Sequence, residues 1–112
     1  MIKKILLMAA LLLGTSTAQA QIITTTPQLI QQVQVQAVGG FFVTPATGSW
    51  GSSDPACANA IYVNVIPSTS PEWKAMLATA MSAQVSERNI MFWGKCSATD
   101  PLYFEADQII LQ

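Results

Sequence analysis

Histidine is missing from all 112 residues. Its absence removes the usual general base behind serine and cysteine nucleophiles, and with it the commonest metal ligand. Charge is scarce as well, at 10% of residues, so no basic stripe can form to neutralise phosphates. A nucleic-acid partner is thereby excluded. Long apolar runs are absent beyond Ile5 to Leu13, which is too short to cross a bilayer comfortably, and no membrane span is expected once that run is removed. There is no phosphate-cradling glycine loop and no cluster with metal-ligand spacing, so no cofactor and no metal are expected.

The few carboxylates offer no catalytic pair. Asp54 and Asp100 each precede proline and read as turn formers. Glu105 and Asp107 are two apart on a β-prone segment and therefore share one strand face. A glycosidase needs its two acids on opposite sides of a cleft, whereas two neighbours on a strand read as a solvated face. The chain is accordingly not expected to be an enzyme, and no catalytic residue is assigned.

What is present begins with a leader. Met1-Ile2-Lys3-Lys4, the apolar run and Ala18-Gln19-Ala20 form the pattern of a secretory signal peptide over residues 1–20, cleaved after Ala20 by bacterial Sec export. Position 21 is Gln, so the cysteine of a bacterial lipid anchor is missing. A secreted or periplasmic product over 21–112 is expected, with Lys74, Arg88 and Lys95 set against six acidic residues for a net charge of −3. A single domain of that size has a marginal core. Cys57 and Cys96 are the only cysteines, and in an oxidising compartment they read as one disulfide, worth about 4 kcal/mol in the chain-entropy picture.

Along the chain, Gln21 to Thr26 is an arm or edge strand ended by Pro27. Residues 29–38 alternate, placing Leu29, Val33, Val35 and Ala37 on one face and Gln32, Gln34 and Gln36 on the other. Gly39-Gly40 reads as a tight hairpin turn into a return strand from Phe41. PATGSWGSSDP, residues 45–55, is a loop with Trp50 at its middle. Ile61, Val63 and Val65 alternate with Tyr62 and Asn64 in the next strand.

A helix follows, with Ser70 as cap, Pro71 first and Glu72 at the positive end of the dipole. Trp73, Met76, Leu77, Ala80 and Met81 make its apolar stripe. Its other side, Ala75, Ala78, Thr79, Ser82 and Ala83, is small and uncharged. Ile90 to Lys95 is an apolar strand ending at Cys96, and Tyr103 to Leu111 is the last strand, with Ile109 to Leu111 its most buried part.

The order strand, strand, strand, helix, strand, strand predicts a mainly β fold with one helix, a small five-stranded barrel of the oligonucleotide/oligosaccharide-binding (OB) type. An open α+β sheet is the alternative.

From Trp73 onward the chain resembles the B subunits of bacterial AB-type toxins, the Shiga-toxin B family above all. The counterparts are Trp73 at the helix start, Leu77, Ala83-Gln84, the strand Ile90 to Trp93, Cys96, and Phe104-Glu105 leading to Ile109 and Ile110. Cys57 departs from the family, whose first cysteine lies near the mature N-terminus. The resemblance implies a closed OB barrel, a homo-oligomeric ring of five subunits with helices lining a pore, and binding to cell-surface glycans. The small helix face, Ala75, Ala78, Thr79 and Ser82, is the expected oligomer interface.

For sugar binding, Trp50 with Ser52, Ser53 and Asp54 would offer a flat apolar ring beside hydrogen-bonding groups, if Trp50 is displayed rather than folded back on the core. Trp73 is the second ligand-binding candidate, by the resemblance. The expected function is therefore a non-catalytic binding protein that recognises a glycan or a protein partner. A small periplasmic or secreted structural or inhibitory domain, without sugar binding, is the alternative.

Overall fold

Alternating apolar and polar side chains become strands here because each strand must bury one face and wet the other. In the computed structural model of the protein, which describes residues 22–112, the result is mainly β with one helix. The leader expected over 1–20 lies outside the described residues. Six strands form one mixed sheet: β1 (Ile23–Thr24), β2 (Ile30–Val35), β3 (Phe41–Pro45), β4 (Tyr62–Val65), β5 (Ile90–Cys96) and β6 (Tyr103–Leu111). The one α-helix among the described residues, α1 (Trp73–Val85), falls between β4 and β5.

In space the strands run β1-β5-β6-β4-β3-β2. All neighbours are antiparallel except β4 and β6, and the long path through α1 and β5 supplies the crossover that a parallel pair requires. β1 and β2 occupy opposite ends of this order, yet only residues 25–29 lie between them. Within that short link Gln28 bridges Ile90 of β5, while Leu29 O accepts from Ala46 N at 2.8 Å, just past β3. One stretch of chain thus crosses from β5 to β3.

The β2–β3 connection uses both glycines at positive φ, 96° at Gly39 and 79° at Gly40. A Cβ on Gly40 would stand 2.2 Å from Val65 O, so no side chain fits. A register shift between Ile30 and Gln32 turns Ile30 inward and leaves Leu29 42% exposed, against the expectation that Leu29 faces the core. A bulge inverts the period-2 pattern at the point where it sits, and that is the physical reason for the swap. Ile61 is likewise exposed, because β4 starts only at Tyr62.

The inner face of the sheet carries Phe41, Val43, Val63, Val65, Ile90, Phe92, Phe104 and Ala106, all buried, and Trp50 folds in among them. Each large apolar side chain so buried contributes about 1.5–3 kcal/mol. Burial in β6 is concentrated at Phe104 and Ala106, whereas Ile109 and Ile110 are half-buried and Leu111 is exposed, so the expected deep end of this strand is the shallow one. The helix rests on β2, β3 and β6.

Two expectations for α1 are corrected. Its N-cap is Glu72, without a side-chain capping bond, because the Ser70 hydroxyl is buried and donates to Ala106 O at 3.1 Å instead. Its buried positions are Met76, Ala80 and Ala83, with Trp73 and Leu77 partly covered, while Met81 is 52% exposed. The contact face is thus turned toward Ala83. Small residues at 80 and 83 let the helix axis approach the strands, and a methionine in their place would hold it off.

Cys57 and Cys96 form a disulfide with Cα atoms 5.6 Å apart. It ties the end of a short 3-10 turn, Pro55–Cys57, to the end of β5. The 46–61 connection is thereby fixed at both its strands and its middle.

Candidate functional site

The outward positions of β3, β4 and β6 are where this chain departs from an ordinary wet sheet face. Phe42 alternates with the buried Phe41 and Val43, Tyr62 precedes the buried Val63, and Tyr103 precedes the buried Phe104. Register brings the three together: Tyr62 pairs with Tyr103 across the parallel β4–β6 ladder, and Phe42 pairs with Asn64 across β3–β4. Tyr62 and Tyr103 stack with ring centroids 4.9 Å apart and planes 25° apart. Phe42 meets them at 6.0 Å and 5.8 Å, tilted or edge-on. All three remain half-exposed, and neither phenol is held by a hydrogen bond among the described residues.

Polar side chains frame the aromatic trio in register. A row across five strands reads Gln34, Phe42, Asn64, Glu105, Lys95. Gln36 Nε2 donates to Asn64 Oδ1 at 3.4 Å, and Lys95 Nζ lies 3.9 Å from Glu105 Oε2. Beside Tyr62 is a concavity of about 360 Å³ lined by Gln31, Gln32, Gln34, Phe42 and Thr44, among others. Thr44 Oγ1 borders it, shielded from solvent and without a partner. Beside Tyr103 is a second concavity, about 370 Å³, bounded by Asn64, Ser97, Thr99, Asp100 and Glu105. The structure thus brings together three aromatic faces, several amides and hydroxyls, and two carboxylates.

The residues expected to bind ligand from the loop do other work. Trp50 has no exposed surface, its Nε1 donates to Val43 O at 3.1 Å, and its ring meets Phe92 edge-on at 5.2 Å. It folds back on the core because the loop backbone is stitched down on both sides: Trp50 N donates to Ala60 O and Thr26 N to Trp50 O, each at 2.8 Å. Ser52 is buried and its Oγ accepts from Asp54 N, Ser53 Oγ accepts from Thr24 N, and Asp54 Oδ1 caps the 3-10 turn through Ala56 N. Trp50 and Ser52 are therefore buried loop structure and not displayed groups, whereas Ser53 stays exposed and Asp54 half-buried at the surface.

Trp73 is half-buried, packs against the core cluster, and has Lys74 Nζ 5.8 Å from its ring centroid. It stands apart from the trio, on α1. Of the small helix face, Ala75, Ala78 and Ser82 are exposed, while Thr79 is half-buried and bonds back to Ala75 O. Trp93, on the outer side of β5 between Thr24 and Gln108, is half-buried with an unpartnered Nε1.

Phe42, Tyr62 and Tyr103 were not singled out by sequence reasoning. The available signal was their phase, since each occupies the outward slot beside a core residue, where polar side chains are the rule. The chain matches no protein-family model, no curated protein and no solved structure.

Proposed function

We propose that the chain is an exported, non-catalytic binding protein resembling toxin B subunits, and that the outer face of β3, β4 and β6 takes a glycan. The observation that carries this reading is the Phe42–Tyr62–Tyr103 trio framed by side-chain amides. A sugar ring needs a flat apolar surface under its C–H groups, and its hydroxyls need partners that both donate and accept; Asn and Gln do both. The disulfide suits an oxidising compartment, and among the described residues no helix is long and apolar enough to cross a membrane.

On this reading the sheet is a closed five-stranded OB-like barrel. Support comes from residues 23–35, whose first part pairs with β5 and whose last part pairs with β3, so that β1 and β2 count as one bent strand and no edge is left between them. Barrels of this type bind oligosaccharides on the face of their second and third strands, here β3 and β4. A glycan array probed with residues 21–112 tests the site. Tyr62→Ala should weaken the hits at least about tenfold, the loss of a stacking partner and its rim. An array without hits, or hits that Tyr62→Ala leaves intact, overturns the reading.

The same reading includes self-association through the outward side of α1. Ala75, Ala78 and Ser82 are exposed there beside Met81, and Val85 is 85% exposed, with no charge after Lys74. Light scattering on wild type and Ala78→Glu decides it: a multimer that the charged variant dissolves supports the interface, and a monomer in both removes it.

A further inference from the structure

We infer that the outer aromatic face selects uncharged oligosaccharides and turns anionic ones away; this deepens, and rests on, the glycan reading above. The first ground is where the cations are. The sequence has five basic residues, of which Lys3 and Lys4 lie outside the described residues. Lys74 stands over Trp73 on α1. Arg88 is spent on Gln112 O, through Nε at 2.9 Å and Nη2 at 2.5 Å. Lys95 does reach this face, but it is paired with Glu105.

The second ground is what stands opposite. The concavity beside Tyr103 has Asp100 and Glu105 in its wall, two carboxylates against the one lysine. Glu105 and Asp107 both line the neighbouring hollow, with Lys95. Even with Lys95 set wholly against Glu105, Asp100 and Asp107 leave this end net negative. The concavity beside Tyr62 presents Gln31, Gln32, Gln34 and Thr44 and no charge at all. A carboxylate, sulfate or phosphate on a ligand would shed water at either end without gaining a cation, and at the Tyr103 end it would also meet negative charge. Hydroxyl and acetamido groups find partners at both. Two hollows on either side of one aromatic stack, about 360 and 370 Å³, favour a ligand of several sugar units over a single one.

An array carrying the same neutral oligosaccharide cores bare, sialylated and sulfated tests the inference at low ionic strength. Bare cores should be preferred over their acidic versions by roughly five- to tenfold, the size of a like-charge term at several ångströms near a protein surface. Glu105→Gln removes one carboxylate and frees Lys95, so the preference should shrink toward parity; Asp100→Asn should shrink it less, and Glu87→Gln, at the far end of α1, should leave it unchanged. Thermal melts of each variant separate selectivity from unfolding. Acidic cores bound as tightly as bare ones, or a preference that Glu105→Gln does not move, overturns the inference while hits sensitive to Tyr62→Ala leave the glycan reading standing. No binding of any core overturns both.

Discussion

Trp50 and Tyr62 sit on the same connection, one inside the 46–61 loop and the other at its exit, and each looks from its neighbours like the opposite of what it is. Trp50 lies among Gly, Ser and Pro, yet it has no exposed surface, its one donor is satisfied by Val43 O, and Phe92 closes against its ring. Tyr62 lies among Ile and Val, yet it is half-exposed and stacks on Tyr103 at the surface. The difference teaches that display is decided by where the backbone hydrogen bonds go. The loop's amides and carbonyls are paired to Thr26, Ala60 and Thr24, so its tryptophan is held inward. The strand's pairing leaves one side chain in two facing out, whatever its chemistry.

The contrast should be largest in stability. Trp50→Ala is expected to cost about 3–5 kcal/mol in urea unfolding, since it empties a fully packed site, whereas Tyr62→Ala should cost under about 1.5 kcal/mol, the loss of one aromatic pair at the surface. Equal costs would break the comparison. Next comes the disulfide that holds the loop: Cys57→Ser with Cys96→Ser opens a closure of 39 residues. About 4 kcal/mol should be lost in the chain-entropy account, with the near-UV signal of Trp50 lost at lower urea and the outer trio still able to form.

A smaller effect is expected at Ser70→Ala. It leaves Ala106 O without its side-chain donor next to the helix start, for about 1–3 kcal/mol, measured by the same unfolding. Smallest of all is Lys95→Ala. Its exposed pair with Glu105 should contribute no more than about 1 kcal/mol, so the melting temperature should hardly move even though the charge beside Tyr103 changes.

Most of the fold was legible because its carriers are local. Alternation around Val33 and Val63, the apolar run around Phe92, the glycine pair at 39–40 and the cysteine pair give strands, one turn and the staple. Misreadings occurred where a distant partner intervened. Ser70 reads as a cap until Ala106, far along the chain, takes its hydroxyl. Leu29 reads as core until a bulge flips the register. Met81 reads as buried until the helix turns to seat Ala83. The candidate site was illegible for the same reason: Phe42, Tyr62 and Tyr103 are far apart in sequence, and only the parallel pairing of β4 with β6 places two of them face to face.

The link between β1 and β2 has a consequence for the order in which the molecule is made. Thr25 gives its amide to Phe92 O and its hydroxyl accepts from Phe92 N, both at 2.9 Å, across 67 residues of sequence. Contacts that close so long a loop pay their entropy before anything rewards them. The β2–β3 hairpin closes on a local turn, but the arm beside it has nothing to pair with until β5 exists. In refolding with pulsed hydrogen exchange, the amides of Thr25 and Gln28 should therefore gain protection after those of β2 and β3, so that a stretch early in the chain is fastened later than the hairpin that follows it.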